Sequence, residues 1–382
     1  MVVRLMVADT VTGDKIQTIP TGDMRWEQRI LSPESLSASV TLKPGLHQRL
    51  DLYSATTPAK STMIVADGEN ILAAGPVIDS DFDDDGGSLQ MSAAGIWDEL
   101  KFRPIYPANT TAKNLVLTSG EDEGEPNPAV RTTFTGRSWP YIVRTLVEQS
   151  MARPGGALPI VFEGDGTGAH DKSYDASSFK SLGEALEDLT QLQNGPEITF
   201  TPRFRNNRLE YVCRVGDDAT LNIAGSTVHR FDFTSALRSV RSLKVKRSGA
   251  ELASTVWGSG GQQESVALYA RSHSPRLIDA GFPLREKVLS SNSTVTQLPT
   301  LQRYTDAELE ASSAPRAFWS WEFHGGRAPL LADVKVGDWC QVWIPAGHPF
   351  LPEGRHLRRI VGLSGDGVSP WVSVTTDEVV TW

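Results

Sequence analysis

The chain has 382 residues, of which 46 are acidic and 37 basic, giving a formal net charge of −9; 39% of its residues are hydrophobic. This length exceeds one ordinary core and predicts about two to three domains. The acidic balance argues against a general nucleic-acid binder, because phosphate backbones are bound by basic surfaces.

The N-terminus and the cysteines indicate where the chain is made. The first apolar run is interrupted at Asp9, so it lacks the apolar region of a signal peptide, and no stretch approaches the roughly 20 apolar residues of a membrane-spanning helix. Cys213 and Cys340 are predicted to be unpaired, half-buried strand residues. We therefore expect a protein that is made in a cytoplasm, has no membrane segment and does not follow the signal-peptide route.

Residues 1–107 predict a first β-domain with a barrel-like fold. Its candidate strands are short and separated by turn residues, which is typical of barrels and sandwiches. They cover residues 2–7, 36–42, 62–66 and 71–78.

An acidic turn follows the last of these strands. Asp85-Gly86-Gly87 predicts a tight hairpin, because glycine adopts positive φ angles without strain. Asp81, Asp83, Asp85 and Gly86 also match the start of a calcium loop, but Ser92 stands where that loop requires a bidentate Glu. The pattern favours a solvated hairpin tip over a weak cation site.

Residues 108–128 predict a loop or linker, and residues 129–230 an α/β module of two helices and a hairpin. Ser138 is the predicted N-cap of the first helix, with Pro140 in its first turn. The second helix begins near Ser181, where Ser181 and Glu184 form a capping box, and ends at Asn194-Gly195-Pro196 with Gly195 in the left-handed conformation. The hairpin pairs residues 197–204 with 208–215 about Asn206-Asn207.

Residues 231–382 predict a second β-rich domain with one helix. The helix lies within Leu298–Ser312, and Thr305–Glu308 has the form of an internal capping box. A turn at Val336-Gly337-Asp338 leads into one of the strands. The candidate strands cover residues 240–246, 253–257, 265–269, 317–323, 339–344, 357–363 and 371–375.

The residue patterns predict no catalytic, cofactor-binding or metal-binding residue. None of the histidines pairs at the i, i+4 spacing of a helical zinc site; they are His47, His170, His229, His273, His324, His348 and His356. His324-Gly325-Gly326 is similar to the oxyanion loop of esterases, but no Gly-x-Ser-x-Gly elbow accompanies it. The glycine-rich runs 164–168 and 258–261 lack the lysine of a phosphate-binding loop.

Ten tryptophans are the strongest argument for a carbohydrate site, because flat aromatic rings stack on sugars. Eight of them lie in strand-like or turn-adjacent runs, which favours core or interface anchors. These eight are Trp26, Trp97, Trp257, Trp319, Trp321, Trp339, Trp343 and Trp371.

Several short motifs occur in order along most of the chain. The N-terminal motifs are Val7-Ala8-Asp9 with Thr12-Gly13, Ala74-Gly75-Pro76-Val77 and Gly95-Ile96-Trp97-Asp98-Glu99-Leu100. The later ones are Phe134–Ser138, Leu189-Thr190 through Asn194–Phe200, and Val336-Gly337-Asp338. Together they resemble the motifs of minor tail proteins from long-tailed phages of actinobacteria, the hub-like proteins near the tail tip.

This resemblance implies a mainly β protein with α+β parts, in which two β-barrel-like hub domains flank the α/β module and three copies close a ring. The implied role is structural and not enzymatic. The ring would link the tail tube and the end of the tape-measure protein to receptor-binding proteins, with the distal tail protein and other minor tail proteins as neighbours. The implied location is the virion tail tip, after assembly in the host cytoplasm.

The alternative function from another class is a carbohydrate-active enzyme or lectin acting on the host envelope. A hydrolase would need two carboxyl groups about 5–10 Å apart in a sugar cleft. A third interpretation is a monomeric peripheral tail adaptor with no axial role.

Overall fold

The structure is a computed structural model, and it describes residues 3–379 except 22, 44, 46–48, 121, 193, 224, 226, 236–238, 264–265, 293–294 and 296. The predictions that involve Val2, His47 and Ser265 lie outside the described residues. The chain is mainly β, as predicted. No helix in the described ranges is both long and apolar enough to cross a bilayer.

The N-terminal region consists of antiparallel strands with two short helices. Each predicted strand is present, whereas β2 and β3 were not predicted; in β3 only two apolar residues, Met24 and Trp26, alternate with charged ones, which is a weak signal. The elements are β1 (Val3–Asp9), β2 (Lys15–Ile19), β3 (Asp23–Arg29), β4 (Ser32–Thr41), α1 (Leu52–Ala55), β5 (Ser61–Asp67), β6 (Asn70–Asp83), β7 (Ser88–Ala94) and α2 (Ile96–Leu100).

The middle region contains both predicted helices and the predicted hairpin. Its elements are β8 (Arg131–Arg137), α3 (Trp139–Met151), β9 (Ile160–Phe162), β10 (His170–Asp175), α4 (Leu182–Thr190), β11 (Ile198–Arg205) and β12 (Arg208–Val215). Two 3₁₀ turns, Pro128–Val130 and Ala176–Ser178, interrupt the connections.

The C-terminal region also agrees with its predicted strands. It contains β13 (Val228–Asp232), β14 (Val240–Ser248), β15 (Thr255–Gln263), β16 (Val266–His273), α5 (Arg276–Asp279), β17 (Glu286–Asn292), α6 (Leu298–Ser312), β18 (Arg316–His324), β19 (Trp339–Ile344), β20 (Gly354–Asp366) and β21 (Trp371–Val379). The prediction of a single helix was wrong, because the four-residue α5 precedes α6.

Two details of the predicted helix ends were also wrong. Thr305 lies inside α6, which begins at Leu298, so its capping-box pattern marks no helix start. Asn194, and not Gly195, has the left-handed backbone, with φ of 57°. Gly195 is required for a different reason, since a Cβ there would lie 2.2 Å from the carbonyl oxygen of Leu189.

The chain divides into two compact units that do not follow chain order. The first contains Met1–Glu187, Pro196–Arg241 and Glu322–Val374, and the second contains Asp188–Gly195, Ser242–Trp321 and Thr375–Trp382. The domain boundaries predicted at residues 107, 128 and 230 stay predictions.

The first unit is built on one long sheet. Eight of its strands follow one another in the order β20-β3-β4-β7-β6-β5-β1-β2, and β19 pairs with both β20 and β13. The antiparallel pairing of β3 with β20, in which Arg29 faces Gly362, joins the N-terminal and C-terminal regions in a single sheet. Two smaller sheets, β11-β12-β9 and β10-β8, belong to the middle region.

The core of the first unit lies around β5, whose residues from Ser61 to Ala66 are all buried. On one face of β5, Thr62 lies against Tyr211 of β12. A strand buried on both faces reads as a continuous apolar run, which is why this segment lacks alternation.

The second unit contains a three-stranded sheet, β16-β15-β17, covered on one face by α6. Leu268 and Ala270 of β16 pack against Leu301 of the helix. The opposite face carries Trp257, Tyr269 and Val288, which are substantially exposed.

Candidate functional site

A cleft of about 430 Å³ lies within the first unit. Its walls are the β3–β4 hairpin, the β5–β6 turn, β11 and the loop that precedes β19. We refer to it as the β11 cleft, because six consecutive residues of that strand, 198–203, line it.

The sheet presents both a face and the free edge of β11 to the cleft, since Val212 and Arg214 of β12 also line it. The β11 strand pairs with β12 on one side, and no strand pairs with its other side in the described part of the chain. Pro202, a residue confined to edge strands and bulges, lies in the middle of the lining segment. Lining by both alternate sets of residues is what an exposed edge produces, since successive side chains point to opposite faces.

The cleft is partly aromatic. Trp97 meets Phe200 of β11 edge to face, with ring centroids 5.8 Å apart, and the indole N–H of Trp97 donates to the carbonyl of Gly183 at 3.3 Å. Trp26 is only 2% exposed. The Nε1 of Trp26 and the Oγ1 of Thr199, both in cleft-lining residues, have no hydrogen-bond partner among the described residues.

Glu34 contributes a carboxyl group with a raised pKa. Burial raises its pKa to about 8, although the N–H of Ala74, at 3.4 Å, donates to the carboxylate and acts in the opposite direction. Its backbone carbonyl accepts from Gly95 at 2.8 Å, which fixes the residue beside the start of α2. Burial and the nearby Glu34 also raise the pKa of the Tyr211 phenol. The raised pKa favours the protonated form of Glu34, which can donate a hydrogen bond, more than in an exposed glutamate.

The charged residues of the cleft compensate one another. The ion pairs are Arg214 with Glu163, Arg203 with Glu210, Arg29 with Glu27, and the buried contact of His229 with Asp338 at 2.9 Å. Glu69 and Lys335, also on the lining, have opposite signs. The lining contains four basic and four acidic residues, so neither sign is in large excess.

A buried ion pair fixes the beginning of β11. Arg359 of β20 contacts both carboxylate oxygens of Glu197, and its guanidinium also donates to the carbonyls of Ile223 at 3.0 Å and Gly337 at 3.2 Å. The N–H of Ile223 donates to Glu197 at 2.6 Å. One arginine thus connects the strand start, the loop after β12 and the turn before β19.

The acidic turn forms the predicted hairpin tip between β6 and β7. Only Gly87 of its glycine pair has a positive φ, 55°. Ser92, at the position of the missing calcium ligand, donates across the strands to Asp79 at 3.4 Å. No group of three His, Cys, Asp or Glu side chains in the described ranges is arranged to hold a metal ion.

The described histidines are separated, and each has its own structural contact. His170 stacks on Trp139 with ring centroids 3.8 Å apart and contacts Asp218 at 2.7 Å. His348 accepts from the N–H groups of Phe350 and Leu351, which closes the loop before β20. Their remaining contacts are His273 with Thr255, His324 with Gly326 and His356 with the Pro352 carbonyl.

The eight tryptophans divide between the interior and the surface. Trp26, Trp97, Trp319 and Trp321 are buried, Trp343 and Trp371 are half-buried, and Trp257 and Trp339 are the exposed pair. Cys213 and Cys340 are unpaired, as predicted, but fully buried.

Sequence reasoning missed Glu34, Glu197 and Arg359. Glu34 looks like an ordinary surface position of an alternating strand, and its burial comes from a distant part of the chain. Pro202 was the one local signal available, because a proline within a strand run indicates a free edge.

Comparison with solved structures identifies proteins of the same fold. The chain superposes on a 43 kDa tail protein of a Shewanella oneidensis prophage with a TM-score of 0.58 at 12% identity, covering 99% of this chain and 98% of that one. A tail protein from Neisseria meningitidis gives 0.56 at 13% identity, with coverage of 99% and 97%. A prophage tail protein from Listeria monocytogenes gives 0.52 at 11% identity, with coverage of 98% and 94%.

Sequence comparison adds no relative to these folds. No family model matches the chain, and no curated protein matches it. At these identities the likeness concerns the fold, which the chain shares over nearly its whole length with phage tail proteins.

Proposed function

We propose that this protein is a structural component of a phage tail tip, a baseplate-hub or minor tail protein. The observation that carries the proposal is the match in fold to three tail proteins over 98–99% of the chain. A match of this extent includes the middle region as well as the β-regions, so it does not rest on a common β-barrel alone.

The finer form of the proposal is a ring of three copies in the tail of a long-tailed phage of actinobacteria. Its two β-barrel-like hub domains would flank the α/β module, and the ring would connect the tail tube and the tape-measure end with receptor-binding proteins. A cyclic trimer closes an axis, whereas a two-fold dimer does not. Exposed apolar side chains give such a ring contact surface; Tyr53 is 92% exposed and Phe102 is 77% exposed.

The mass in solution and the location in the virion test this role. Light scattering should give about three times the 41.6 kDa of the single chain, and labelling of purified virions should mark the tail tip. A stable monomer that labels the tail would support the peripheral adaptor. Absence from purified virions would refute the tail role altogether.

The alternative, a carbohydrate-active enzyme, has one observation in its favour. Glu34 is a carboxyl group with a raised pKa in an aromatic cleft, as the general acid of a glycosidase would be. Incubation with host cell-wall polymers tests it directly. Release of reducing sugar by the natural protein, abolished in Glu34→Gln, would favour the enzyme over the structural role.

A further inference from the structure

The hydrogen-bonding pattern of β11 shows which of its backbone groups face the cleft. The N–H of Gly216 donates to the carbonyl of Glu197 at 2.8 Å, so residue 197 is hydrogen-bonded to the neighbouring chain. By alternation, residues 199, 201 and 203 bond to β12, and residues 198, 200 and 202 point away from it. The direction of Tyr211 agrees, since its N–H donates at 2.7 Å to Pro159, on the side away from β11.

The outward groups are therefore a row of donors and acceptors inside the β11 cleft. The row consists of the N–H and C=O of Ile198, the N–H and C=O of Phe200, and the C=O of Pro202. None of them has a hydrogen-bond partner within the described ranges. Backbone groups that lie away from bulk water cost free energy when unpaired, which favours an additional strand at this edge.

We propose that the β11 cleft binds an extended, uncharged peptide segment of another protein by strand addition to residues 198–203. This goes beyond the tail role and does not depend on it. The lining segment spans about 17 Å, enough for a strand of five to six residues. Side chains of the incoming strand would lie against Trp97 and Phe200.

The charge balance of the cleft selects the class of peptide. The arginines of the lining are paired with acidic residues, Asp338 contacts the ring of His229, and burial raises the pKa of Glu34. Glu69 and Lys335 of the lining have no ion pair among the described residues, but their opposite signs give a peptide with net charge no overall attraction, and its charged side chains would lose water on entering.

A tethered peptide tests the proposal on the full chain. Thr201 is exposed on the cleft side of β11, so Thr201→Cys places a reactive thiol beside the free edge. The two natural cysteines are buried, and burial raises the pKa of Cys340 to about 12 and that of Cys213 further, so the new thiol reacts selectively. The probe is the disulfide-linked peptide acetyl-Cys-Gly-Gly-Val-Thr-Val-Thr-Val-amide.

The matched control is the same peptide with N-methyl groups on its valines, which cannot form the backbone ladder. The tether holds either peptide at millimolar effective concentration, so we expect the unmodified one to slow amide exchange at Phe200 and Ile198 about tenfold. The N-methylated peptide should leave both rates unchanged. The Leu301 amide in α6 is the reference, whose exchange neither peptide should alter.

Three results would overturn the proposal. Equal exchange rates with both peptides would mean that the edge does not pair. A greater slowing by a variant of the peptide with glutamate in place of threonine would mean that the cleft selects charge. Slow exchange at Phe200 before any tethering would mean that the edge is already covered, and a concentration-dependent mass would then identify a second copy as its occupant.

Discussion

Replacement of Arg359 by Met should destabilise the protein more than any change to a surface ion pair. The side chains of Arg359 and Glu197 are 15% and 10% exposed, so the pair is nearly removed from water. Met keeps much of the length and apolar stem of Arg but removes every donor. Glu197 would then remain as a buried carboxylate that, within the described part of the chain, accepts only from the N–H of Ile223.

The magnitude follows from what is left unpaired. Breaking a buried ion pair by removing one partner costs about 3–5 kcal/mol. The carbonyls of Ile223 and Gly337 also lose a donor, although a water molecule that enters the site would restore part of that loss. We therefore expect Arg359→Met to lower the free energy of unfolding by about 3–5 kcal/mol.

Urea denaturation followed by circular dichroism measures the effect, within a double-mutant cycle. Glu197→Gln removes the charge of the partner, and the double variant Arg359→Met with Glu197→Gln should be destabilised by less than the sum of the single changes. The control is Arg214→Met, because Arg214 and its partner Glu163 are 42% and 58% exposed and should lose at most about 1 kcal/mol. Additive single changes, or a cost for Arg359→Met no larger than the control, would refute the reasoning.

Three further predictions concern pH, helix capping and close packing. The pKa of Glu34 is 4.5 for an ordinary glutamate and about 8 in the folded protein, so between these pH values the folded state binds more protons than the unfolded state. The free energy of unfolding should therefore fall as the pH rises from 4.5 to 8. The thermal midpoint of the natural protein should be lower at pH 8 than at pH 5, and the difference should be absent in Glu34→Gln. An equal change of the thermal midpoint in both proteins would contradict this. Ser181→Ala should cost about 1 kcal/mol in urea denaturation, because its hydroxyl accepts from the Glu184 N–H at 3.2 Å, and Ser119→Ala, at an exposed loop position, is the comparison. Gly75→Ala should cost about 3 kcal/mol or more, since a Cβ there would lie 1.8 Å from the carbonyl oxygen of Ala94; an unchanged thermal midpoint would count against the close contact.

Short-range rules predicted much of the secondary structure. Ser138 accepts from the N–H of Tyr141 at 3.3 Å and caps α3, as its position before Pro140 indicated. Asn206 and Asn207 both have positive φ, 51° and 61°, which is the two-residue turn that the hairpin pattern requires. These features depend on residues a few positions apart, which a sequence displays directly.

Tertiary contacts account for what the patterns missed. Thr305 has the form of a helix start, but its hydroxyl donates to the Gln302 carbonyl at 2.9 Å and accepts from Ser272 at 2.8 Å, inside the helix. The strand β13 is short and pairs in parallel with β19, more than a hundred residues later. Neither relation is visible in a local window.

The β11 cleft could not be predicted for the same reason. Its walls come from four separated stretches of the chain, and the acidity of Glu34 depends on burial by these stretches and not on its neighbours in sequence. A sequence shows that a glutamate occurs in a strand run, but not what covers it. Pro202 alone indicated that one strand of the hairpin would remain an edge.

The pairing of β3 with β20 has a consequence for synthesis. Gly362, the partner of Arg29, is synthesised about 330 residues later than Arg29, which corresponds to roughly 20–70 s at ordinary elongation rates. Throughout that interval the edge of β3 that later pairs with β20 is unpaired and accessible to other nascent chains. We expect such a protein to complete its long sheet only after β20 has been synthesised, and to need protection from misassociation until then.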